Sequence, residues 1–190
     1  MKLSTILQCT PALLLVATTA GVATAGPAMA EERTCRGSIG AVTLDNLRVP
    51  QGATCALNGT RLKGTIKVER GATLKAATVR VNGNVQAEGA RSVTVLDPRV
   101  GGSIQLVQGG AANIRRNTVI ADILFDDNSG ALAGVRNMIG GNLQAFQNTG
   151  GVTVSINRID GNLQCKENSP RPTGGDNVVQ GNKEDQCRAL

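Results

Sequence analysis

One spacing governs this chain. Gly64, Gly83, Gly102, Ala121, Gly141, Gly161 and Gly181 follow one another at steps of 19, 19, 19, 20, 20 and 20 residues. The register extends upstream, because Asn46-Leu47-Arg48-Val49-Pro50-Gln51-Gly52-Ala53-Thr54 aligns with Thr65-Ile66-Lys67-Val68-Glu69-Arg70-Gly71-Ala72-Thr73 at an offset of 19. A period of about twenty residues signifies a solenoid, in which one small unit cannot bury its apolar side alone and does so by stacking on its neighbours.

The contents of each unit set the fold class. After the glycine, apolar and polar residues alternate, as in Thr65-Ile66-Lys67-Val68, Asn84-Val85-Gln86-Ala87, Ser103-Ile104-Gln105-Leu106, Asn142-Leu143-Gln144-Ala145 and Asn162-Leu163-Gln164-Cys165. Alternation of period two marks a strand with one buried face. A second short run follows, as in Val93-Thr94-Val95 and Val152-Thr153-Val154-Ser155-Ile156, and a third apolar position recurs at Val119, Ile139, Ile159 and Val179. Three short strands per unit make an all-β, single-stranded parallel β-helix with 19-20-residue coils. The expectation is a right-handed helix, although the period is also compatible with a left-handed one.

Two asparagine columns fit stacking at fixed register. Asn117, Asn137, Asn157 and Asn177 recur every 20 residues, with Asp97 extending the column backward, and Asn128, Asn148 and Asn168 form a second column. At equivalent turns about 4.8 Å apart, an Asn can satisfy backbone groups and bond the Asn of the next coil. Such ladders resemble those inside right-handed parallel β-helices of the pectate-lyase type.

The N-terminal segment reads as a secretory signal over residues 1 to 30. Lys2 is its only charge, Leu13-Leu14-Leu15-Val16-Ala17 lies in an apolar stretch, and Ala28-Met29-Ala30 forms a small-x-small cleavage site, so the mature chain is expected to begin at Glu31. The apolar stretch is short for a retained membrane anchor. Cys9 precedes the apolar core rather than following it, which does not suit lipid modification. The remainder, about 160 residues, suffices for one domain. It divides into an N-terminal cap and first coil (31 to 63), regular coils (64 to 164) and a C-terminal cap (165 to 190).

Four cysteines, Cys35, Cys55, Cys165 and Cys187, lie at the two ends of this domain, where a solenoid must cover its exposed core. In an oxidising compartment an even count suggests disulfides; three pairings are possible, and Cys35 with Cys55 and Cys165 with Cys187 are favoured. Metal binding is the rival, but the chain has no His and no CxxC spacing. Asp160-Gly161-Asn162-Leu163-Gln164-Cys165 and Gln180-Gly181-Asn182-Lys183-Glu184-Asp185-Gln186-Cys187 are the same unit, turned polar in the second copy. This closing stretch resembles that of a family of exported bacterial β-solenoid proteins, from actinobacteria and related groups, with a Gly-Asn-x-Gln-Cys to Glu-Asp-Gln-Cys ending. The resemblance covers the last quarter of the chain firmly and supplies no activity to carry over. Bactofilins, which polymerise through β-helical ends, are similar in composition and repeat.

Little in the sequence points to catalysis. Without His the usual general base is missing, and Trp and Tyr are absent too. A lyase-like carbohydrate enzyme would centre on Asp122, Asp126 and Asp127, with Arg99, Arg115, Arg116 and Arg136 in neighbouring coils, yet these acids do not stack in successive coils as a shared calcium site requires. No metal and no cofactor is expected. The outward positions of the first strand are the better candidate for binding, in two columns that include Asn84, Gln86, Ser103, Gln105, Asn142, Gln144, Asn162 and Gln164. Regular amides on a flat sheet suit a repeating ligand such as a cell-wall or extracellular polysaccharide, though they equally keep a strand face wet. Residues 31 to 80 carry nine Lys or Arg against four acids, whereas residues 81 to 190 carry ten against ten. The basic first third suits anionic polymers or headgroups, while export, the lack of a motif and the lack of stacking aromatics argue against nucleic acid. The expected role is a secreted or envelope-associated structural or binding module, with the lyase-like enzyme and end-to-end polymerisation as rivals.

Overall fold

The computed structural model describes residues 30 to 190. The expected signal segment, apart from Ala30, lies outside the described residues. Short strands stack into three parallel sheets of nine, eight and eight strands, giving a β-solenoid of about eight coils, with no helix among the described residues. Sheet 1 runs from Glu32–Thr34 to Lys183–Asp185, sheet 2 from Gly37–Ile39 to Thr173–Gly175, and sheet 3 from Thr43–Leu44 to Val178–Val179. Each coil contributes one strand to each sheet.

The register reproduces the sequence period. Ile104 lies beside Ile123 in sheet 1, Val93 beside Ala112 in sheet 2 and Val100 beside Val119 in sheet 3, each 19 residues on. The coil lengthens to 20 between Asn128 and Leu132, since Val107 pairs with Asp126 but Ala112 pairs with Leu132. The opening coil is shorter, with Glu32 beside Asn46.

One face of every strand enters the core, as alternation requires. Ile66, Ile104, Ile123, Leu143 and Leu163 stack as one fully buried column of sheet 1. Phe125, also fully buried, takes its space from Gly134, where a Cβ would lie 3.4 Å from the ring.

The corners carry the remaining information. Two of them in each coil are turned by a residue in the left-handed region, and the next residue points inward. Between sheets 2 and 3 the turning residues are Gly59, Thr78, Asp97, Arg116, Arg136, Ile156 and Asp176, with φ of 53° to 58° for all but Gly59. The residues that follow are Thr60, Val79, Pro98, Asn117, Asn137, Asn157 and Asn177, all buried. Between sheets 1 and 2 the inward positions run Ala53, Ala72, Ala90, Gly109, Asn128, Asn148 and Asn168. The N-terminal half therefore closes its corners with small or apolar side chains, and the C-terminal half closes them with asparagine.

The expected asparagine ladders are present, and every member is buried. Asn148 shows the bonding. Its Oδ1 accepts from Asn128 N (3.0 Å) and Asn128 Nδ2 (3.0 Å), while its Nδ2 donates to Phe125 O (3.0 Å) and Asn168 Oδ1 (2.8 Å). Asn157 repeats this between Asn137 and Asn177, with Gly134 O in the role of Phe125 O. Gln186 ends the second ladder, its Oε1 accepting from Asn168 N and Nδ2 and its Nε2 donating to Asn168 O. Asp97 does not extend the first ladder. A 20-residue step from Asn117 lands on it, but the coil there has 19, so Pro98 holds the inward position and Asp97 is the exposed turning residue, paired to Arg116 Nε at 2.7 Å.

Both ends are stapled by the favoured pairings. Cys35–Cys55 (Cα–Cα 5.6 Å) ties the opening coil to the next, and Cys165–Cys187 (Cα–Cα 5.2 Å) ties the terminal turns to the last inward position of sheet 1. Loops of this length contribute about 3 kcal/mol in the chain-entropy account. All four cysteines are buried, and Leu190 packs against the core beside the second bridge.

The ladder makes a sharp prediction. Asn148→Ala strands the Asn128 amide and the Phe125 carbonyl and leaves Asn168 Oδ1 only the Asn148 backbone N–H, and should cost about 3 to 5 kcal/mol in denaturant unfolding. Val79→Asn should also destabilise, although later coils carry Asn at that position, because Thr60 and Pro98 offer it no ladder; an unchanged midpoint would refute this account.

Candidate functional site

The outer face of sheet 1 brings together the eight sequence-predicted surface residues and divides them into two kinds. Asn84, Ser103, Asn142 and Asn162 belong to a column that starts at Asn46 and ends at Asn182, and this column works on the backbone. Asn46 Oδ1 accepts from Thr65 N at 2.9 Å, Asn84 Oδ1 from Ser103 N at 2.8 Å, Asn142 Oδ1 from Asn162 N at 2.8 Å and Asn162 Oδ1 from Asn182 N at 2.8 Å. Thr65, Ser103 and Asp122 fill the intervening places with their own oxygens. The strand entrances are thus capped from one coil to the next, and the side-chain oxygens of this column are committed to the fold.

This column explains the glycine that defines the period. A Cβ at Gly64, Gly102, Gly141 or Gly181 would run into the side-chain oxygen of Asn46, Asn84, Asp122 or Asn162 in the preceding coil. Ala121 stands at the one exception, above Ser103, whose hydroxyl is the shortest side chain in the column. Sequence and geometry agree on why that coil alone departs from the pattern.

The adjoining column faces solvent and runs Arg48, Lys67, Gln86, Gln105, Leu124, Gln144, Gln164 and Glu184. Gln86 Nε2 donates to Gln105 Oε1 at 3.2 Å, and Gln144 to Gln164 and Gln164 to Glu184 at 2.8 Å each, with Leu124 interrupting the line. Beside it lies an open depression of about 470 Å³ lined by Lys67, Glu69, Gln86, Glu88, Gln105 and Val107 among others. Its charges are mixed. Arg48 Nη1 donates to Glu69 Oε1 at 3.1 Å, while Arg48 Nε lies 3.1 Å from Glu32 Oε1. The Arg48 hydrogen bond, then the Gln51 amide that donates to Glu69 Oε2, hold the Glu69 carboxyl below its ordinary range.

The acidic residues of the lyase-like alternative do not converge. Asp122 sits in the capping column and accepts from Asn142 N and Nδ2. Asp126 follows on the outer face of the same strand, and Asp127 turns the next corner. Among the described residues no three His, Cys, Asp or Glu side chains cluster as a metal site. Arg99 lies on sheet 3, Arg115 on sheet 2, and Arg116 and Arg136 at the corner between them.

One arrangement escaped the sequence reading. Arg61, Arg80 and Arg99 are direct cross-strand neighbours on the outer face of sheet 3. The signal was legible, since they recur at steps of 19 residues. Among known proteins, no family model, curated protein or solved structure matches this chain.

Two outcomes follow. Gly102→Ala should lower stability by about 1 to 3 kcal/mol by overpacking against Asn84, whereas Ala121→Gly should cost no more than about 1 kcal/mol, both read from chemical denaturation. The lowered carboxyl of Glu69 contributes stability above its ordinary titration range that disappears as pH falls through the lowered value. The Gln51 amide resonance should therefore titrate below the usual glutamate range in wild type and show no such step in Glu69→Gln.

Proposed function

We propose that this protein is a secreted or envelope-associated, non-catalytic β-solenoid that acts as a structural or binding module for a repetitive polymer outside the cytoplasm. The observation that carries the reading is in-register repetition. Each outer column offers a side chain at every strand spacing of about 4.8 Å along a flat face, and the glutamine column with its adjoining depression is one such surface. A ligand that repeats meets such a face many times over, and weak contacts add through effective concentration.

The build of the rod supports the same role. Two disulfides are compatible with an extracytoplasmic location, and the polar, disulfide-linked C-terminal coil disfavours growth by end-to-end stacking. The likeness of the closing cysteine pattern to exported bacterial solenoids belongs to this proposal as well.

The test is co-sedimentation of the protein, expressed in an oxidising compartment, with cell-wall, chitin and acidic-glycan preparations at low and high salt. Retention by at least one polymer, with no change in the polymer's chain length, is the expected result. Absence of binding across the panel, or depolymerisation of the glycan, sinks the proposal.

A further inference from the structure

The geometry points to the outer face of sheet 3 as a binding site for an acidic polysaccharide that bears one carboxylate per sugar, with Arg61, Arg80 and Arg99 each taking one carboxylate. This deepens the binding-module reading and rests on it.

The three arginines are Cα partners in unbroken parallel register, Arg61 with Arg80 and Arg80 with Arg99, so their side chains leave the sheet about 4.8 Å apart. All three are exposed, above the buried Leu62, Val81 and Val100. Like charges placed directly opposite destabilise a sheet, and elsewhere in the described sheets they stand at most in twos, as Arg48 beside Lys67. Arg48 lies between Glu32 and Glu69, Arg116 is bonded to Asp97, and Lys63 to Asp45 at 2.8 Å. No other outward column among the described residues sets three like charges on successive strands, and none of these three arginines has an ion-pair partner among the described residues.

The fold itself does not ask for arginine here. The same outward position is held by Thr43 before the run and by Thr118, Met138, Arg158 and Val178 after it, and the isolated Arg158 lies 3.9 Å from Asp160. The run is therefore an electrostatic cost without a structural return, unless an anion supplies the missing partner. A line of planar guanidinium forks matches a line of carboxylates, each met through paired hydrogen bonds. Thr43 and Thr118 bound the run with hydroxyl groups suited to sugar hydroxyls. No Trp or Tyr exists in the chain to stack a sugar ring or a base, so recognition falls to charge and register, which favours the acidic glycan over single-stranded nucleic acid.

The experiment measures binding of polygalacturonate, of its methyl-esterified form and of monomeric galacturonate to the wild-type protein and to Arg80→Gln, with Lys75→Gln as a control that removes one exposed positive charge from sheet 2. The expected result is binding of the polymer but not of the ester or the monomer, weakened about tenfold or more in Arg80→Gln and unchanged in Lys75→Gln. Without ligand, Arg80→Gln should melt at a temperature equal to or above wild type, with the difference shrinking as salt is added, which shows that the variant is folded. Equal weakening by the two substitutions would mean net charge rather than the column, and would overturn the inference. Polymer binding untouched by Arg80→Gln, or binding of the esterified polymer alone, overturns it while leaving the binding-module reading standing. Failure of the wild type to bind any polymer of the wider panel removes both.

Discussion

Stacking a strand directly on its own counterpart imposes one condition on every level of this molecule: whatever a residue presents along the solenoid axis must be answered by the residue one coil away. Apolar side chains meet it easily. A buried polar group meets it only if it is complementary to its own translated copy, and asparagine is, because its oxygen can serve a backbone and a side-chain donor of one neighbour while its nitrogen reaches the oxygen of the other. A ladder once begun must then be continued or ended deliberately. Gly109, whose amide donates to Asn128 Oδ1 at 2.9 Å, and Gln186, which takes the last two donors of Asn168, are the two ends of one such ladder. The N-terminal half avoids the obligation by using Thr60, Val79 and Pro98, or Ala53, Ala72 and Ala90, at the same corners.

Most of the fold is legible in the sequence because translation along the axis writes itself as a period. The alternation after Gly64 and its successors identifies the first strand and its buried face, and the cysteines at the two ends identify the staples. What the sequence hides is local register. A 20-residue step carried backward from Asn117 lands on Asp97, but the coil there has 19 residues and the position belongs to Pro98. The corner residues were equally hidden, because Thr78, Arg136 and Ile156 are not types that announce a left-handed backbone. They are recognisable only by standing immediately before an inward residue. The outward columns were visible as columns, but not that Asn84, Ser103, Asn142 and Asn162 spend their oxygens on the next coil's amides.

Charge follows the same translational rule. Columns that mix signs are neutralised along the axis, as at Arg48 and Arg116, and columns of amides bond to themselves, as at Gln144 and Gln164. A side chain on this scaffold is thus judged against its axial neighbours more than against residues nearby in sequence. The arginine column on sheet 3 differs from the others in this respect alone, and the backbone beneath it is as regular as elsewhere.

The linkage between successive asparagine coils is the same each time, from Asn128 to Asn148 to Asn168 and from Asn137 to Asn157 to Asn177. Such coils are interchangeable parts. Duplicating or excising one 20-residue unit between them leaves both termini, both bridges and every inter-coil bond type intact, so the span of the rod is a dimension that inheritance can lengthen or shorten in whole rungs without having to solve the folding problem again.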